Sequence, residues 1–213
     1  YSGEFETPPI SKDTFITLLE LSVTNVIMST SEGYYRQKDG LAMGSPPAPP
    51  LANIWLCKQE PVLKDNAKLF ERYMDDIIRS IQRSLAEDKL REINELHPNL
   101  KFTMEVEEDG KIPFLDMLLI RIGRFLSSTW YCKPTDIGLV MNYHALAPTR
   151  YKKSVVSGFV YRIYRACSSW TNFHYSLEKA KNILEKNQYP PQMYNQVIES
   201  AIEKLMKKDV SVE

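Results

Sequence analysis

The sequence predicts an α+β fold in which short antiparallel strands come first and a region made only of helices follows. Three observations support this prediction. Short runs with strand-like patterns recur between residues 69 and 132, and turn residues such as Asp109 and Gly110 separate them. From Thr149 onward hydrophobic residues recur at helical spacing instead. The composition, with 43% hydrophobic and 25% charged residues, is typical of a globular protein.

The N-terminal part is expected to hold one helix and one hairpin. Ser11 precedes a helical pattern of hydrophobic residues that extends to about Met28. Residues 34–37 and 41–43 flank Lys38, Asp39 and Gly40, so we expect a short hairpin with its turn at these three residues.

A proline-rich run at residues 44–50 is predicted to lead from a loop into a second helix. Prolines are tolerated in the first turn of a helix, and Ser45 could cap its N-terminus. The helix is expected to end before Lys64. A further helix with charges on one face is expected over residues 86–96.

Two adjacent carboxylates, Asp75 and Asp76, stand between the predicted strands 69–73 and 77–81. A buried, unpaired anion is strongly disfavoured, so this pair should either be exposed at a hairpin tip or be neutralised by a metal cation. Magnesium takes hard oxygen ligands of this kind. A solvated turn and a metal site are both compatible with the pair taken alone.

Three later strands are predicted over residues 101–107, 113–120 and 125–132, with a turn at residues 109–110 and a break at Gly123. The helices that follow are expected to break near Thr171 and again at residues 189–191.

Charge is distributed unevenly although the net charge is zero. Residues 1–120 carry 13 Lys/Arg and 20 Asp/Glu, whereas residues 121–213 carry 14 and 7. Such opposed halves suggest an acidic site in the first and a surface that faces a polyanion in the second. No hydrophobic run is long enough for a membrane span, and three scattered cysteines indicate reduced thiols in an intracellular protein.

Two motifs in order resemble those of reverse transcriptases. Residues 40–53, with Gly44, Ser45 and Pro46, resemble the loop and helix that support template and incoming nucleotide. About 20 residues later, residues 73–76 (YMDD) resemble the YxDD hairpin of the polymerase palm. Three further stretches resemble Penelope-like retroelement polymerases, and they lie at residues 97–105, 111–116 and 131–136.

The resemblance implies a polymerase-type palm at residues 1–136, with antiparallel strands and packing helices, and a helical thumb at residues 137–213. It implies RNA-directed DNA synthesis from deoxynucleoside triphosphates, on an RNA template and a DNA primer, with Mg²⁺ as cofactor and Mn²⁺ as a substitute. Asp75 would be the main metal ligand and Asp76 a weaker or indirect one. The complete element would act in the nucleus, and no membrane partner is expected.

Other residues receive roles from the same resemblance. Substrate or template contacts are expected at Gly44, Ser45, Pro46, Tyr73, Met74 and Lys101. Glycine permits close approach of the backbone to a ligand, and the Ser45 hydroxyl could donate to a phosphate or only cap the helix. Lys101 could lie near the leaving pyrophosphate or be an ordinary exposed lysine.

The stretch 137–177 contains no Asp or Glu and carries five Lys/Arg interleaved with aromatic residues. Cations neutralise phosphates and give salt-sensitive affinity that does not depend on sequence. We therefore expect Arg150, Lys152 and Lys153 to contact a nucleic-acid backbone. The aromatic residues could stack on bases, although on amphipathic helices such residues more often belong to the core.

One departure from the family pattern matters for activity. The resemblance implies another palm aspartate upstream, in a strand of the form D-x-x-x-[FY], and residues 1–7 do not supply it. The chain is therefore interpreted as the later palm plus thumb, inactive by itself. The alternatives are a remnant that binds nucleic acid without catalysis and, less attractively, a structural interaction domain.

Overall fold

The computed structural model describes residues 10–24 and 26–210, which form a mixed α+β fold with small antiparallel sheets and six α-helices. The α+β prediction is confirmed at this level. The chain divides into two compact units, Tyr1–Thr103 and Met104–Glu213. The functional limits predicted for a palm and a thumb, 1–136 and 137–213, stay a prediction. No helix in the described ranges combines the length and the apolar character that crossing a bilayer requires.

The first unit contains three helices and two hairpins. Its helices are α1 (Lys12–Thr24), α2 (Ala48–Lys64) and α3 (Ala86–Asn94), and its paired strands are β1 (Ile27–Thr30) with β2 (Gly33–Arg36) and β3 (Phe70–Tyr73) with β4 (Asp76–Arg79). A short 3₁₀ helix, Arg83–Leu85, precedes α3. Burial is sparse: of the described residues in this unit, the buried ones are Ala48, Leu63, Lys89 and Ile93.

Helix α1 begins where the sequence predicts it and ends earlier. The Ser11 hydroxyl accepts a hydrogen bond from the backbone N–H of Thr14 at 3.2 Å, which caps the N-terminus. The predicted end at Met28 is wrong, because the chain enters β1 at Ile27. The β-branched residues around this point, which favour extended backbone, explain the early end.

The first hairpin differs from the predicted one. Strand β2 pairs back with β1 in the register Thr30↔Gly33, so the turn lies at residues 31–32 and not at 38–40. The Thr30 hydroxyl accepts from the backbone N–H of Glu32 at 3.2 Å and stabilises this turn. Residues 41–43 form no strand.

Helix α2 starts directly after Pro47, and the predicted cap at Ser45 is wrong. The Ser45 backbone forms a turn instead, with its N–H donating to the Ala42 carbonyl at 3.1 Å and its carbonyl accepting from the Ala48 N–H at 3.0 Å. Proline in the first turn of α2 removes no hydrogen bond, since the first amide groups of a helix have no intrahelical partner.

The second unit places three helices with a three-stranded sheet. The strands are β5 (Lys111–Phe114), β6 (Met117–Ile122) and β7 (Phe125–Trp130) in the order β5-β6-β7, and the helices are α4 (Thr149–Ala166), α5 (Trp170–Lys186) and α6 (Pro191–Val210). The predicted helix breaks near Thr171 and residues 189–191 are confirmed.

Two predictions of strands after α3 are wrong. Residues 101–107 form no strand. The predicted strand 113–120 is two strands, because the chain reverses at Leu115, which adopts a positive φ of 54°. The turn at Asp109 and Gly110 is confirmed, with φ of 49° and 72°.

The main hydrophobic core lies in the second unit, where β7 packs against the helices. The Trp130 ring meets the Phe159 ring of α4 edge to face at 5.7 Å. Beside it the hydroxyls of Thr129 and Ser176, both buried, are 2.9 Å apart. Strand β7 and helices α4 and α5 therefore share one core, and α6 completes it with Tyr194, Ile198, Ala201 and Leu205.

The buried side chain of Asn187 joins the end of α5 to the extended segment before α4. Its Nδ2 donates to the carbonyls of Gly138 at 2.7 Å and Ile183 at 2.8 Å, and its Oδ1 accepts from the Val140 N–H at 3.3 Å. The Asn187 carbonyl also accepts from the Tyr143 N–H at 3.0 Å. The Asn187 side chain thus pairs with backbone groups of both segments and joins them.

Candidate functional site

The adjacent aspartates lie at the tip of the β3–β4 hairpin, as the sequence predicts. The register pairs Tyr73 with Asp76, so Met74 and Asp75 form the two-residue turn. Met74 adopts the positive φ that tight hairpins require, at 55°. Because Tyr73 and Asp76 are opposite each other, their side chains emerge on the same face of the hairpin.

Both carboxylates are exposed, and in the described part of the chain neither accepts a hydrogen bond or forms an ion pair. Their oxygens are the hard ligands that Mg²⁺ and Mn²⁺ prefer. The set is incomplete, since no three His, Cys, Asp or Glu side chains cluster within the described ranges to hold a metal ion. Asp75 and Asp76 therefore fit part of a metal coordination sphere. The N-terminal stretch in which the expected aspartate is missing lies outside the described residues.

A half-buried arginine, whose side chain is 8% exposed, holds this hairpin against α2. Arg72 points away from the face that carries Tyr73, and its guanidinium donates to Glu60 Oε1 at 2.8 and 3.0 Å. Nη1 donates to Asn53 Oδ1 at 2.6 Å and to the carbonyl of the turn residue Met74 at 3.0 Å. Nη2 also lies 3.3 Å from the Cys57 sulfur. Arg72 thus fixes the turn that presents Asp75.

The carboxylate that receives Arg72 is held ionised by two cations. Glu60 also pairs with Lys64 one turn later on α2, with Nζ 2.8 Å from Oε2. Hydrogen bonds from Lys64 and Arg72 lower the pKa of Glu60 from 4.5 to about 2. Glu60 therefore carries a full negative charge at neutral pH and can keep Arg72 in place.

The glycine-proline loop leads into the same helix. Gly44 has a φ of +86°, which favours glycine, and no heavy atom lies within 4 Å of the position a Cβ would occupy. Ser45 is half-buried and Pro46 is exposed. The open space beside Gly44 leaves room for a ligand, and Asn53 on α2 links this helix to the hairpin through Arg72.

Lys101 is exposed in an extended segment after α3, and in the described residues no hydrogen bond or ion pair joins it to Asp75 or Asp76. The next residue, Phe102, is fixed through its backbone: its N–H donates to Asn94 Oδ1 at 2.6 Å and its carbonyl accepts from Asn94 Nδ2 at 3.1 Å. The pyrophosphate role of Lys101 stays a prediction.

In the second unit α4 is basic on its exposed face and apolar on the other. The exposed cations are Arg150, Lys153, Arg162 and Arg165, and the buried side chains are Val156, Phe159, Val160, Ile163 and Ala166. Lys152 is half-buried, with its ammonium 5.0 Å from the centre of the Tyr143 ring. Arg150 lies over the Tyr151 ring at 4.9 Å. The geometry leaves Arg150 and Lys153 more accessible to a phosphate than Lys152.

Two of the stretches on which the resemblance rests meet around a cavity of about 260 Å³ in this unit. Its lining includes Asp116 from the first stretch, Cys132 and Asp136 from the second, and Arg162 from α4. Arg162 Nε lies 3.6 Å from Asp116 Oδ2, and both side chains are mostly exposed. Burial, followed by the charge of Asp136, raises the pKa of the Cys132 thiol, so this cysteine is a poor nucleophile at neutral pH.

Comparison with known proteins gives one partial match. The family model described as "Animal helix-turn-helix domain" matches residues 139–199, which contain α4, α5 and the first half of α6. This region is thus similar to a helix-turn-helix domain. No curated protein and no solved structure matches the chain.

Sequence reasoning did not identify Arg72, Glu60 and Asn94 as residues that organise the first unit. A signal for Arg72 was present: it lies two residues before the turn in a strand that alternates, so it had to face the side opposite Glu71 and Tyr73. A charged residue on the packed side of a strand requires a partner, and Glu60 on the preceding helix is that partner.

Proposed function

We propose that the chain is part of an RNA-directed DNA polymerase, in which Asp75 and Asp76 contribute to a site for Mg²⁺ or Mn²⁺ and the second unit contacts the nucleic acid. The observation that carries this proposal is the exposed, unpaired carboxylate pair at a hairpin turn whose Met74 carbonyl accepts a hydrogen bond from the half-buried Arg72. The Arg72 network behind the turn fixes the Met74 carbonyl and so presents both carboxylates to solvent.

In this proposal the chain's own residues have separate tasks. Arg72 fixes the Met74 carbonyl and so the position of Asp75. Asp75 and Asp76 offer oxygen ligands from one tip, while Gly44 leaves space for template or nucleotide beside the start of α2. A bound metal ion would offset charge on the attacking 3′ oxygen and the leaving pyrophosphate. Lys101 remains the proposed contact for that pyrophosphate.

Metal binding by the hairpin can be tested without polymerase activity. Manganese titrated into the isotope-labelled chain should broaden the backbone amide signals of residues 73–76 selectively, and Asp75→Asn combined with Asp76→Asn should remove that broadening. Asp109→Asn is the matched control, because Asp109 is also an exposed aspartate in a hairpin turn with positive φ. Equal broadening in the double variant would contradict the metal role.

Polymerase activity is tested separately by extension of oligo(dT) on poly(rA) with magnesium. Extension that Asp75→Ala abolishes would support catalysis by this chain and overturn the expectation that it is inactive alone. Manganese binding without extension would support the view that the described residues contribute only part of the metal ligands.

A second candidate function is nucleic-acid binding without catalysis. Two observations favour it: the helix-turn-helix similarity of residues 139–199 and the basic exposed face of α4. Affinity for an oligonucleotide should then fall steeply with salt. Replacing Arg150 and Lys153 by alanine should lower both the affinity and the salt slope, with Lys204→Ala and Lys207→Ala on α6 as controls of equal charge. An unchanged slope in the α4 variant would contradict this contact surface.

A further inference from the structure

The structure sorts the aromatic residues of the second unit into two groups. Phe159 and Phe173 are buried and Tyr143 and Tyr164 are half-buried, as packing residues would be. Other aromatic side chains of α4 and α5 remain exposed to solvent, which is unfavourable for large apolar rings. Tyr161 is 39% exposed and Trp170 is 47% exposed.

One of these exposed rings lies where α4 meets α5. Trp170 begins α5, and its ring lies 6.2 Å from the half-buried Tyr164 ring of α4 and 5.2 Å from the buried Phe173 ring. His174 follows one turn later, with its ring 6.3 Å from Trp170 and tilted by 38°. Tyr161 lies one turn before Arg165 on the exposed face of α4. We call the exposed rings of Trp170 and His174 the aromatic ledge.

The ledge packs on a buried aromatic ring of α5. Phe173 is 2% exposed and contacts both Trp170 and His174, with ring centres 5.2 and 5.7 Å away. The Ser169 hydroxyl caps α5 by accepting from the Asn172 N–H at 3.1 Å, which fixes the first turn that carries Trp170. The Trp170 and His174 rings are therefore held in place before any partner arrives, so little side-chain entropy is lost on binding.

The charge around the ledge selects the kind of partner. The stretch 137–177 has no Asp or Glu, and Arg162 and Arg165 are exposed on the same helix as Tyr161. Arg162 is paired with Asp116, whereas Glu178, one turn after His174, is paired with Lys181. An apolar protein surface would gain nothing from these cations, whereas a polyanion with flat apolar groups matches both features. Base rings of single-stranded nucleic acid are accessible for stacking, and bases inside a duplex are not.

We propose that the aromatic ledge is a stacking platform for unpaired bases of a single-stranded segment of RNA or DNA, with Arg165 on its phosphates. The proposal deepens the nucleic-acid function proposed above and rests on it. It predicts that this surface prefers single strands over duplexes of equal length, whereas the α4 cations alone would prefer the higher charge density of a duplex.

The test compares two probes on the whole chain: a 12-nucleotide oligo(rA) and a 12-unit abasic sugar-phosphate strand of the same charge. Trp170→Leu keeps an apolar side chain and removes the ring. It should weaken binding of oligo(rA) by about 5- to 150-fold, the range for the loss of one stacked base, and leave binding of the abasic strand unchanged. Oligo(rA) should also quench tryptophan emission of the natural chain, and this quenching should be lost in the variant.

Two further variants keep the test decisive. His174→Ala removes an exposed ring and leaves the core side chains unchanged, and it should weaken oligo(rA) binding in the same selective way. Tyr175→Ala is the matched control, because Tyr175 is 63% exposed on α5 but lies about 100° around the helix from His174. Circular dichroism of each variant should match that of the natural chain.

The outcomes separate this proposal from the function on which it rests. Salt-sensitive binding that is the same for oligo(rA) and the abasic strand, and that Trp170→Leu does not change, would overturn the ledge and leave nucleic-acid binding intact. Absence of binding to both strands and to duplex would overturn both. A shift of tryptophan emission with protein concentration that Trp170→Leu abolishes would mean that a second copy covers the ledge, which would also overturn the proposal.

Discussion

Nη1 of Arg72 on β3 lies 2.6 Å from Oδ1 of Asn53 on α2. This bond joins the two motifs that the sequence places about 20 residues apart, because α2 follows the Gly44 loop and β3 leads into the aspartate turn. The arginine fork can reach Asn53, Glu60 and the Met74 carbonyl together, which a single ammonium group cannot do.

Arg72→Lys should therefore loosen the hairpin although it keeps the charge. We expect hydrogen exchange of the amides in residues 70–79 to accelerate by about tenfold or more, as for the loss of one hydrogen bond to a charged group. Arg83→Lys, at an exposed position in the 3₁₀ helix, is the control and should leave exchange unchanged. Equal protection in both variants would contradict the role of the fork.

Acid should release the same hairpin. The pKa of Glu60 in the folded chain is about 2, below its usual 4.5, so the unfolded chain takes up the proton first. The contribution of Glu60 to stability is complete above about pH 4.5 and is lost as the pH falls toward 2. Exchange of the β3–β4 amides measured across this range should show the loss, and Glu60→Gln should remove that part of the pH dependence.

Loss of the hydroxyl should change the free energy of unfolding differently at two buried tyrosines of the second unit. Tyr194 Oη donates to Glu185 Oε1 at 2.7 Å, so Tyr194→Phe should lower the free energy of unfolding by about 1 kcal/mol. The buried Tyr189 hydroxyl has no hydrogen-bond partner in the described structure, so Tyr189→Phe should be neutral or stabilise by up to about 1 kcal/mol. Urea unfolding followed by tryptophan emission measures both, and equal losses would contradict the assignment.

Burial and the hydrogen bond to Glu185 also raise the pKa of Tyr194 to about 12. Since this pKa lies above the usual 10, the stability that the Tyr194 hydroxyl contributes is complete below about pH 10 and is lost as the pH rises toward 12. Tyr194→Phe should flatten the alkaline limb of the stability profile. If the loss of stability above pH 10 is the same in Tyr194→Phe, other groups cause it and the prediction for Tyr194 is wrong.

Two glycines of the second unit offer a contrast in backbone demands. Gly158 lies inside α4 with open space where a Cβ would stand, so Gly158→Ala should raise the free energy of unfolding by about 0.5–1 kcal/mol. Gly138 has a φ of +71°, and a Cβ there would lie 3.2 Å from a side-chain carbon of Ile183. Gly138→Ala should therefore destabilise by at least about 1–2 kcal/mol. Thermal unfolding measures the stability of both variants. Stability changes of the same sign in the two variants would contradict this prediction.

The sequence was sufficient where local signals decide the structure. The aspartate turn, the turn at Asp109 and the helix breaks before α5 and α6 follow from residue preferences over a few positions. The cap at Ser11 follows from the same kind of signal.

Sequence reasoning failed where a more distant partner decides. Residues 34–36 could pair with the preceding segment or with the following one, and the structure pairs them with β1, which precedes them. Leu115 carries no turn signal, yet it reverses the chain with a positive φ that the packing of β5 on β6 imposes. The Arg72 network joins residues up to 19 positions apart, so no local pattern reveals its bonds.

The contact between Trp130 and Phe159 crosses the start of the region that is similar to a helix-turn-helix domain. Trp130 lies before that region, and Ala201 and Leu205, which complete the same core, lie after it. A polypeptide cut to residues 139–199 would therefore lack core side chains that the rest of the second unit supplies on both sides of it. Truncation inside the second unit should therefore expose core side chains and yield an aggregating product rather than a smaller working domain.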